Sequence, residues 1–401
     1  MKKILIFTLL SCVYIFSVQA QSDYQKELQT QFILAKDGEI ITLKAGTFHF
    51  TRSLSLEGKK DITIQGEGME KTVLNFKGQQ DGAEGITINN CQNITIQNLT
   101  VQDTKGDGIK TMNVERIHFL RVKAEWTGKP NKNNGAYGLY PVSCNKVLID
   151  GCVAVGASDA GIYVGQSNHI IVRNSKAYHN VAGIEIENST MADVYNNESY
   201  NNTGGILVFD LPDLQQKKGG NVRVFNNIIR ENNLPNFAPK GNIVASVPDG
   251  TGVMILATNN VEIFDNKIEN NKTLGISIVS YFMTENPIND KEYYPYPTGI
   301  YIHSNEFERK PMKATKKGRL GKLFWLKLRF GKDVPDIVYD GIVDPNTQDE
   351  NGNIETKYQI CIRNNKNAEF INIDAENGFK NKSRDILPHD CERVALKKAE
   401  F

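Results

Sequence analysis

Glycine followed by a short stretch of alternating apolar and polar residues recurs along the chain. The stretches read GITIN, GIKTM, GLYPV, GIYVG, GIEIE, GILVF, GVMIL and GISIV, and they begin at Gly85, Gly108, Gly138, Gly161, Gly183, Gly205, Gly252 and Gly275. Five of the seven successive intervals are 22 or 23 residues long, and the longer ones indicate insertions. Alternation with period two predicts half-buried β-strands, and a constant period predicts a structural repeat.

A second strand pattern runs in phase with the first and ends in asparagine. ITIQN, IIVRN, ADVYNN, VRVFNN, VEIFDN, IHSN and ICIRNN end at Asn98, Asn174, Asn197, Asn227, Asn266, Asn305 and Asn365. Asparagine tolerates the left-handed backbone conformation and hydrogen-bonds neighbouring turns. One asparagine in each coil therefore predicts a ladder along the molecule.

These repeats favour an all-β solenoid, a right-handed single-stranded parallel β-helix in which each strand pairs with its counterpart one coil away. An antiparallel sandwich is the alternative, but it does not need so constant a period. The open ends of a solenoid need caps. Residues 22–36 predict a short helical cap, with Ser22 as N-cap and Leu28, Phe32 and Ile33 at helical spacing.

The repeat pattern degrades from about residue 310, which predicts an irregular C-terminal cap. Residues 309–332 carry ten Lys or Arg and no acid. A solvated insertion packed over the last coils is one interpretation, and an anion-binding flap is the other. The predicted boundaries are a signal peptide over 1–20, the capped β-helix over 21–308, the basic insertion over 309–335, and the last coil with its cap over 336–401.

The N-terminus has the pattern of a secretory signal: two lysines, an apolar run and small residues before Ala20. A lipoprotein cleavage site at Cys12 is the alternative, but the apolar run continues to Phe16. No later stretch is apolar for long enough to span a membrane. We expect a periplasmic or extracellular protein.

The net charge and the cysteines further narrow the possible classes of protein. The net charge is +1, from 47 basic and 46 acidic residues, which argues against a protein that coats nucleic acid or an anionic membrane with its whole surface. Any contact with a polyanion must be local. Five cysteines remain after the predicted cleavage. Cys361 and Cys391 lie together near the C-terminus, and in an oxidising compartment we favour them as a disulfide. The chain has no CxxCH sequence and so no c-type haem of its own.

If the apolar residues after each glycine face inward, the residues two and four places after it face outward. The first outward column is Thr87, Lys110, Tyr140, Tyr163, Glu185, Leu207, Met254 and Ser277, and the second is Asn89, Met112, Val142, Gly165, Glu187, Phe209, Leu256 and Val279. Glu185 and Glu187 are thus predicted side by side on a solvent-facing strand. Repulsion between them requires a raised pKa or a shared cation.

Aromatic side chains flank this pair of acids. Tyr137, Tyr140, Tyr163 and Phe209 indicate a groove that stacks sugar rings, although the tyrosines also fit a structural cluster beneath inserted loops. Further acids border the same strands in turns, as candidates for the rim of the groove: Asp107, Asp159, Asp210 and Asp213. The alternative is that they are turn formers and that the glutamates belong to a solvated face.

Several phrases together resemble one family: AGTFHF, ITIQGEGMEKTVLNFKGQ, TKGDGIKT, GAYGLYPV, GASDAGIYVGQS, NVAGIEIENS, NTGGILVFDLPDL and NFAPKGNIVA. The chain resembles, over about residues 30–300 and again in the C-terminal part, secreted bacterial β-helix proteins of the pectate-lyase-like superfamily. The resemblance implies the fold, but it implies no established activity. Members are often encoded beside a secreted cytochrome-c-like protein, which implies such a partner.

Two classes of function follow. The first is an enzyme on a polysaccharide or oligosaccharide. The site resembles that of polyuronate lyases with this fold. The resemblance implies that Glu185, Glu187 and Asn188 of this chain would hold Ca²⁺ and that Lys110 would be the base. Glu185 with Asp159 or Asp210 fits a glycoside hydrolase instead. The second class is a non-catalytic binding or scaffold protein that acts with the cytochrome-c-like partner.

Overall fold

The computed structural model describes residues 24–401. The predicted secretory signal over 1–20, the alternative cleavage site at Cys12 and the predicted N-cap Ser22 lie outside these residues. The description also leaves out the side chains of Arg319, Leu326 and Lys327.

Thirty strands follow the helix at residues 24–34, which we name α1. The first ten are β1 (Ile40–Thr42), β2 (Gly46–His49), β3 (Arg52–Glu57), β4 (Thr63–Gln65), β5 (Thr72–Asn75), β6 (Asp81–Asn89), β7 (Gln92–Gln102), β8 (Ile109–Met112), β9 (Glu115–Glu125) and β10 (Tyr137–Val142). The next ten are β11 (Asn145–Asp150), β12 (Val153–Val155), β13 (Ala160–Gly165), β14 (Asn168–Arg173), β15 (Lys176–Tyr178), β16 (Ala182–Glu187), β17 (Thr190–Tyr195), β18 (Glu198–Tyr200), β19 (Gly204–Phe209) and β20 (Gly220–Phe225). The last ten are β21 (Ile228–Arg230), β22 (Thr251–Leu256), β23 (Asn259–Phe264), β24 (Lys267–Glu269), β25 (Leu274–Val279), β26 (Tyr301–His303), β27 (Glu306–Glu308), β28 (Ile337–Tyr339), β29 (Cys361–Arg363) and β30 (Phe370–Asn372).

The strands form two sheets that wind around one core. Eleven strands, most of them following the repeated glycines, form one sheet in the order β3, β6, β8, β10, β13, β16, β19, β22, β25, β28 and β30. The other sheet has 19 strands, which also pair between coils. Neighbouring coils pair in parallel, as β13 does with β16 and β16 with β19. The predicted parallel β-helix is confirmed.

The core consists of the inward apolar residues of each coil. Ile162 of β13 pairs with Ile184 of β16, which pairs with Ile206 of β19, and all three are fully buried. Stacking like residues at a spacing of about 4.8 Å gives each one a neighbour in both directions. Full burial of one such side chain stabilises the fold by about 1.5–3 kcal/mol.

Asparagines satisfy the backbone at the corners of the coils in two ladders. The backbone N–H and the side-chain amide of Asn197 both donate to Asn227 Oδ1, at 2.9 and 3.0 Å. The first ladder runs through Asn197, Asn227, Asn266, Asn305 and Asn365. A second one, which the sequence pattern did not indicate, runs through Asn180, Asn202, Asn232 and Asn271.

Asn98 and Asn174 have another role than the predicted one. Each adopts a left-handed backbone conformation, with φ of 58° and 52°, and turns the chain at a corner. Asn174 donates its amide outward, to Asp150 Oδ1 at 2.8 Å. Both properties belong to asparagine, and the pattern alone did not separate the two uses.

Helix α1 closes the N-terminal end of the core. Leu28 and Phe32 are buried, as a helical cap requires. Ile33 is 61% exposed, so its predicted place on the buried face is wrong. It lies about 100° around the helix from Phe32 and therefore on the outer side.

The C-terminal end is closed by irregular segments. A short helix α2 (Gly318–Lys322) continues into a π-helical turn, Leu323–Lys327, before β28. A disulfide joins Cys361 and Cys391, the pair favoured from sequence. Within the described residues, no helix is long and apolar enough to cross a membrane.

Candidate functional site

The predicted outward columns lie on the outer face of the eleven-stranded sheet. Tyr163 pairs with Glu185, which pairs with Leu207 on the next coil. Gly165 and Phe209 flank Glu187 in the same way. The glutamates are therefore side by side, about 6.5–7 Å apart at their α-carbons.

The prediction that these acids face solvent is wrong. Glu185 is 1% exposed and Glu187 is 8% exposed. Phe209, expected as a platform for a sugar ring, is 1% exposed and equally covered. Three connections between strands cross this face and bury it, and we call them the roof loops: residues 211–219, 231–250 and 281–296.

The roof loops and the outward side chains form a second apolar cluster, outside the coil core. Its buried members in this region include Tyr163, Leu207, Phe209, Val244, Val247, Met254, Leu256, Tyr281 and Tyr293. The apolar residues at outward positions from β19 onward therefore pack against loops. The expectation of an open trough did not allow for these insertions.

Asn188, a predicted metal ligand, fixes the first roof loop. Its Oδ1 accepts from the Leu211 backbone N–H at 2.7 Å, and its Nδ2 donates to the carbonyls of Leu211 and Gln216 at 2.9 and 3.0 Å. These bonds use both ends of the amide. This use of the Asn188 amide argues against the predicted calcium ligand set of Glu185, Glu187 and Asn188.

The first and third roof loops are tied together above the acids. Lys217 Nζ lies 2.8 Å from carboxylate oxygens of both Asp290 and Glu292. Tyr293 donates its hydroxyl to the backbone carbonyl of Asp210 at 2.6 Å. We call the Lys217 ion pairs the latch.

The second roof loop reaches the acids through Asn242. Its side-chain amide donates to Asp159 Oδ2 at 2.8 Å. Val244 and Val247 of the same loop are buried in the outer apolar cluster. Asp159 thus lies under the roof, at the start of β13.

The acids form a diagonal line across three coils. Asp159 precedes β13, Glu185 and Glu187 lie within β16, and Asp210 follows β19. Asp107 precedes β8, two strands before β13 in the sheet, and accepts from the Tyr137 backbone N–H at 3.1 Å. We call Asp107, Asp159, Glu185, Glu187 and Asp210 the acid cluster.

Both carboxylate oxygens of Glu185 lack a hydrogen-bond partner, although the side chain is buried among described residues. One oxygen of Asp210, Oδ2, is likewise unpartnered, while Oδ1 accepts from the Gly219 N–H at 2.9 Å. A buried carboxylate without donors is strongly disfavoured. The position of Glu185 therefore favours the neutral form of the acid.

Burial dominates the acidity of the whole cluster. It raises the pKa of Glu185 well above its ordinary value, and the charges of Asp159 and Glu187 raise it further. Burial also raises the pKa of Asp159, Glu187 and Asp210 to about 7 in each case. The hydrogen bonds from Asn242 and Tyr163 oppose this effect at Asp159 and Glu187.

The tyrosines form one cluster beside the acids. The ring of Tyr137 lies 4.4 Å from those of both Tyr140 and Tyr163, centroid to centroid. Tyr163 donates its hydroxyl to Glu187 Oε1 at 2.6 Å, which orients that carboxyl. Tyr163 is buried, whereas Tyr137 and Tyr140 are half-buried and accessible from one side.

The outer face is open at the N-terminal coils and closed from β13 onward. Thr87, Lys110 and Tyr140 are partly exposed, and Met112 is 37% exposed. Beyond them the first column is buried through Tyr163, Glu185 and every later coil. A ligand on this face therefore reaches the acid cluster from the side of β8 and β10.

Lys110 lies too far from the glutamates to be their base. It belongs to β8, three strands from β16 in the sheet, or about 14 Å at the usual strand spacing. Its ammonium lies 5.2 Å from the ring centroid of Tyr140. Burial raises the pKa of Asp107 to about 6, and the charge of Lys110 partly opposes this rise. Lys110 belongs to the open end of the face.

Asp213 is separated from the acid cluster. It is exposed at a left-handed position of the first roof loop, with φ of 62°. That position makes it a turn former, as the alternative interpretation had it. Its predicted role in binding substrate is not supported by its location.

An amide-lined cleft borders the open coils. Its volume is about 550 Å³, and it lies between the ends of β8, β10 and β13 and the middle of the first roof loop. Six of the lining side chains are amides: Asn113, Asn145, Gln166, Asn168, Gln215 and Gln216. Amides offer donors and acceptors without charge, which suits hydroxyl-rich neutral ligands.

Sequence reasoning missed Asn242, Lys217 and Tyr293. They come from insertions that follow no coil register, and Asn242 and Tyr293 meet partners 83 residues away in the chain. The phrases NFAPKGNIVA and NTGGILVFDLPDL marked two of these loops as family features. Nothing in them indicated which acid they would cover.

Comparisons with known proteins agree with the fold. A family model described as "Right handed beta helix region" matches residues 131–307, and one described as "Periplasmic copper-binding protein (NosD)" matches residues 36–203. No curated protein matches the chain.

Several solved structures are similar to this chain at low sequence identity. The mannuronan C-5 epimerase AlgE4 A-module of Azotobacter vinelandii is 14% identical, with a TM-score of 0.47 over 73% of this chain and 85% of that one. An alginate lyase from Paenibacillus sp. str. FPU-7 is 13% identical, with a TM-score of 0.45 over 71% and 95%. Pectate lyase Pel9A is 11% identical, with a TM-score of 0.43 over 92% and 83%.

The described residues do not fit a copper or calcium centre. Among them, no three His, Cys, Asp or Glu side chains converge in a way that could hold a metal ion. Copper favours imidazole and thiolate ligands, and the free cysteines Cys91, Cys144 and Cys152 are buried separately in the coil core. Calcium needs several oxygen ligands, and two of the three predicted ones already have partners: Glu187 accepts from Tyr163, and Asn188 holds the first roof loop.

Proposed function

This chain is a right-handed parallel β-helix protein, and we propose that it cleaves a glycosidic bond by acid–base chemistry in the acid cluster. The observation that carries the proposal is Glu185, a fully buried carboxyl whose two oxygens have no partner among the described residues. A structural glutamate would be satisfied by donors. A general acid must instead stay protonated near neutral pH and keep its proton available.

The cluster supplies partners for this acid. Glu187, held by the Tyr163 hydroxyl, and Asp159, held by Asn242, have pKa values of about 7 and are partly ionised there. Hydrolysis of a glycoside uses one protonated and one ionised carboxyl on opposite sides of the bond. We assign Glu185 as proton donor and Glu187 or Asp159 as the base or nucleophile.

The charges favour a neutral substrate over a polyuronate. Five acids lie in the cluster, and Lys110 at the open end is the cation whose charge reaches one of them, Asp107. An anionic sugar would meet like charge that this one lysine does not balance. The amide-lined cleft beside the open coils suits the hydroxyl groups of neutral sugars.

The closed end of the outer face limits how a saccharide would bind. Leu207 and Phe209 form a buried wall directly beyond the glutamates. A saccharide lying on the partly exposed tyrosines would therefore reach Glu185 with its terminal unit. The latch must open or shift for this to happen, because the roof loops cover Glu185 completely.

The same roof favours the second candidate, a binding protein without turnover. A covered acid cluster is also what a former enzyme would keep after its groove had closed. The cytochrome-c-like partner that the resemblance implies remains a prediction of that alternative. Secretion to the periplasm or beyond, which the N-terminal signal predicts, suits both candidates.

The test is a panel of neutral glucan, xylan and fructan beside alginate and polygalacturonate, each with and without chelator. We expect new reducing ends from a neutral polymer, insensitive to chelator, and at least about 100-fold less activity in Glu185→Gln. Glu57→Gln, the same change at an exposed position of the same outer face, is the control. Unsaturated uronates released only without chelator would contradict the proposal, and binding without products would favour the binding protein.

A further inference from the structure

The segment 309–332, which we call the basic insert, presents a positive surface. Seven of its ten Lys and Arg residues are exposed: Lys310, Lys313, Lys316, Lys317, Lys322, Arg329 and Lys332. None of these seven forms an ion pair with a described acidic side chain. Uncompensated charge of this density attracts an anionic partner.

The underside of the insert is fixed to the roof. Leu320, Phe324 and Leu328 are buried in the outer apolar cluster. Thr315 donates its hydroxyl to Asp249 Oδ1 at 2.6 Å. Packing on the last coils is therefore real, as one of the two interpretations held, and it leaves the basic side chains on the opposite side.

An apolar cavity opens beside these lysines. Its volume is about 780 Å³. Most of its lining is apolar, including Phe282, Met283, Leu320 and Leu323, and Glu285 and Lys322 are its charged members. Phe282 is 42% exposed at its edge. A large exposed aromatic ring next to a cavity of apolar side chains marks an interaction site.

We propose that the basic insert and this cavity dock the protein on the surface of a bilayer rich in anionic lipid. A basic face combined with aromatic and aliphatic side chains binds at the membrane interface, where headgroups pair with lysines and acyl chains take the apolar side chains. A soluble polyanion would satisfy the lysines but leave the cavity empty. The combination of charge and cavity favours the bilayer.

The experiment is co-sedimentation of the full chain with vesicles of phosphatidylcholine alone or mixed equally with phosphatidylglycerol. We expect binding to the mixed vesicles that falls with salt, and at least tenfold weaker binding to neutral ones. Changing Lys313, Lys316 and Lys317 to Glu should abolish binding. The same change at Lys26, Lys129 and Lys132, which are exposed elsewhere, is the matched control and should reduce it far less.

The apolar contribution is tested separately. Phe282→Ala should weaken vesicle binding several-fold, whereas Ile228→Ala, which removes an apolar side chain that is 40% exposed on the other sheet, should not. If the parent and Phe282→Ala bound the mixed vesicles equally, and heparin displaced both completely, the partner would be a soluble polyanion and not a bilayer. Absence of binding to the mixed vesicles would overturn it outright.

Discussion

Replacing Glu187 with glutamine should change how the stability of the protein depends on pH. The substitution keeps the shape of the side chain and an oxygen that can accept from the Tyr163 hydroxyl. It removes the proton that the folded chain binds here. The outer face lies against the roof loops, so the change leaves the coil core intact.

The magnitude follows from the pKa of Glu187, which burial raises from 4.5 to about 7. Below pH 4.5 both the folded and the unfolded chain hold the proton, so Glu187 does not change the free energy of unfolding as pH varies. Between pH 4.5 and about 7 the folded chain keeps a proton that the unfolded chain releases, so the free energy of unfolding falls with rising pH. At about 1.4 kcal/mol per pH unit, the loss reaches about 3 kcal/mol at pH 7 and above.

Urea unfolding at pH values from 4.5 to 8, followed by circular dichroism, measures this effect. The parent should lose stability as pH rises, because Asp159 and Asp210 shift in the same direction. Glu187→Gln should lose less over that range, by about 3 kcal/mol, and Glu57→Gln should follow the parent. A parent that becomes more stable between pH 5 and 7, or a variant with an unchanged slope, would refute the reasoning.

Three further predictions concern the roof and the coils. Lys217→Ala removes the latch and should increase hydrogen exchange in residues 211–219 and 281–296 with little change in melting temperature, since Lys217 is a partly exposed ion-pair partner; unchanged exchange would contradict the latch. Asn232→Ala removes the acceptor of the buried Asn202 backbone N–H and the donor to the Ser199 carbonyl and should cost about 1–3 kcal/mol in urea unfolding, whereas Asn174→Ala at an exposed corner should cost less. Replacing Cys361 and Cys391 by serine removes a cross-link over 30 residues and should lower the free energy of unfolding by about 2–4 kcal/mol. An unchanged unfolding midpoint would argue against a stabilising disulfide.

The coils could be predicted because their physics repeats. Each glycine strand buries the same inward positions as its neighbours, so Ile162, Ile184 and Ile206 carry one signal three times. The same register placed Glu185 and Glu187 side by side on the outer face. Once one coil is placed in register, the position of each side chain on the next coil follows from the repeat.

The state of the acids could not be predicted, because the roof loops belong to no repeat. Lys217 and Asp290 are 73 residues apart, and Asn242 and Asp159 are 83 apart. Contacts over such separations depend on how inserted loops fold back, which no local period encodes. An outward position was therefore mistaken for an exposed one, and Asn188, which fixes a loop, for a metal ligand.

The protonation of Glu185 is the most direct measurement of this account. Carbon-13 resonances of glutamate carboxyls, with Glu185 assigned by its disappearance in Glu185→Gln, report it as pH is raised. We predict that this carboxyl stays protonated through pH 7, because burial raises its pKa well above the ordinary value. A Glu185 resonance already that of the carboxylate at pH 5 would contradict the account.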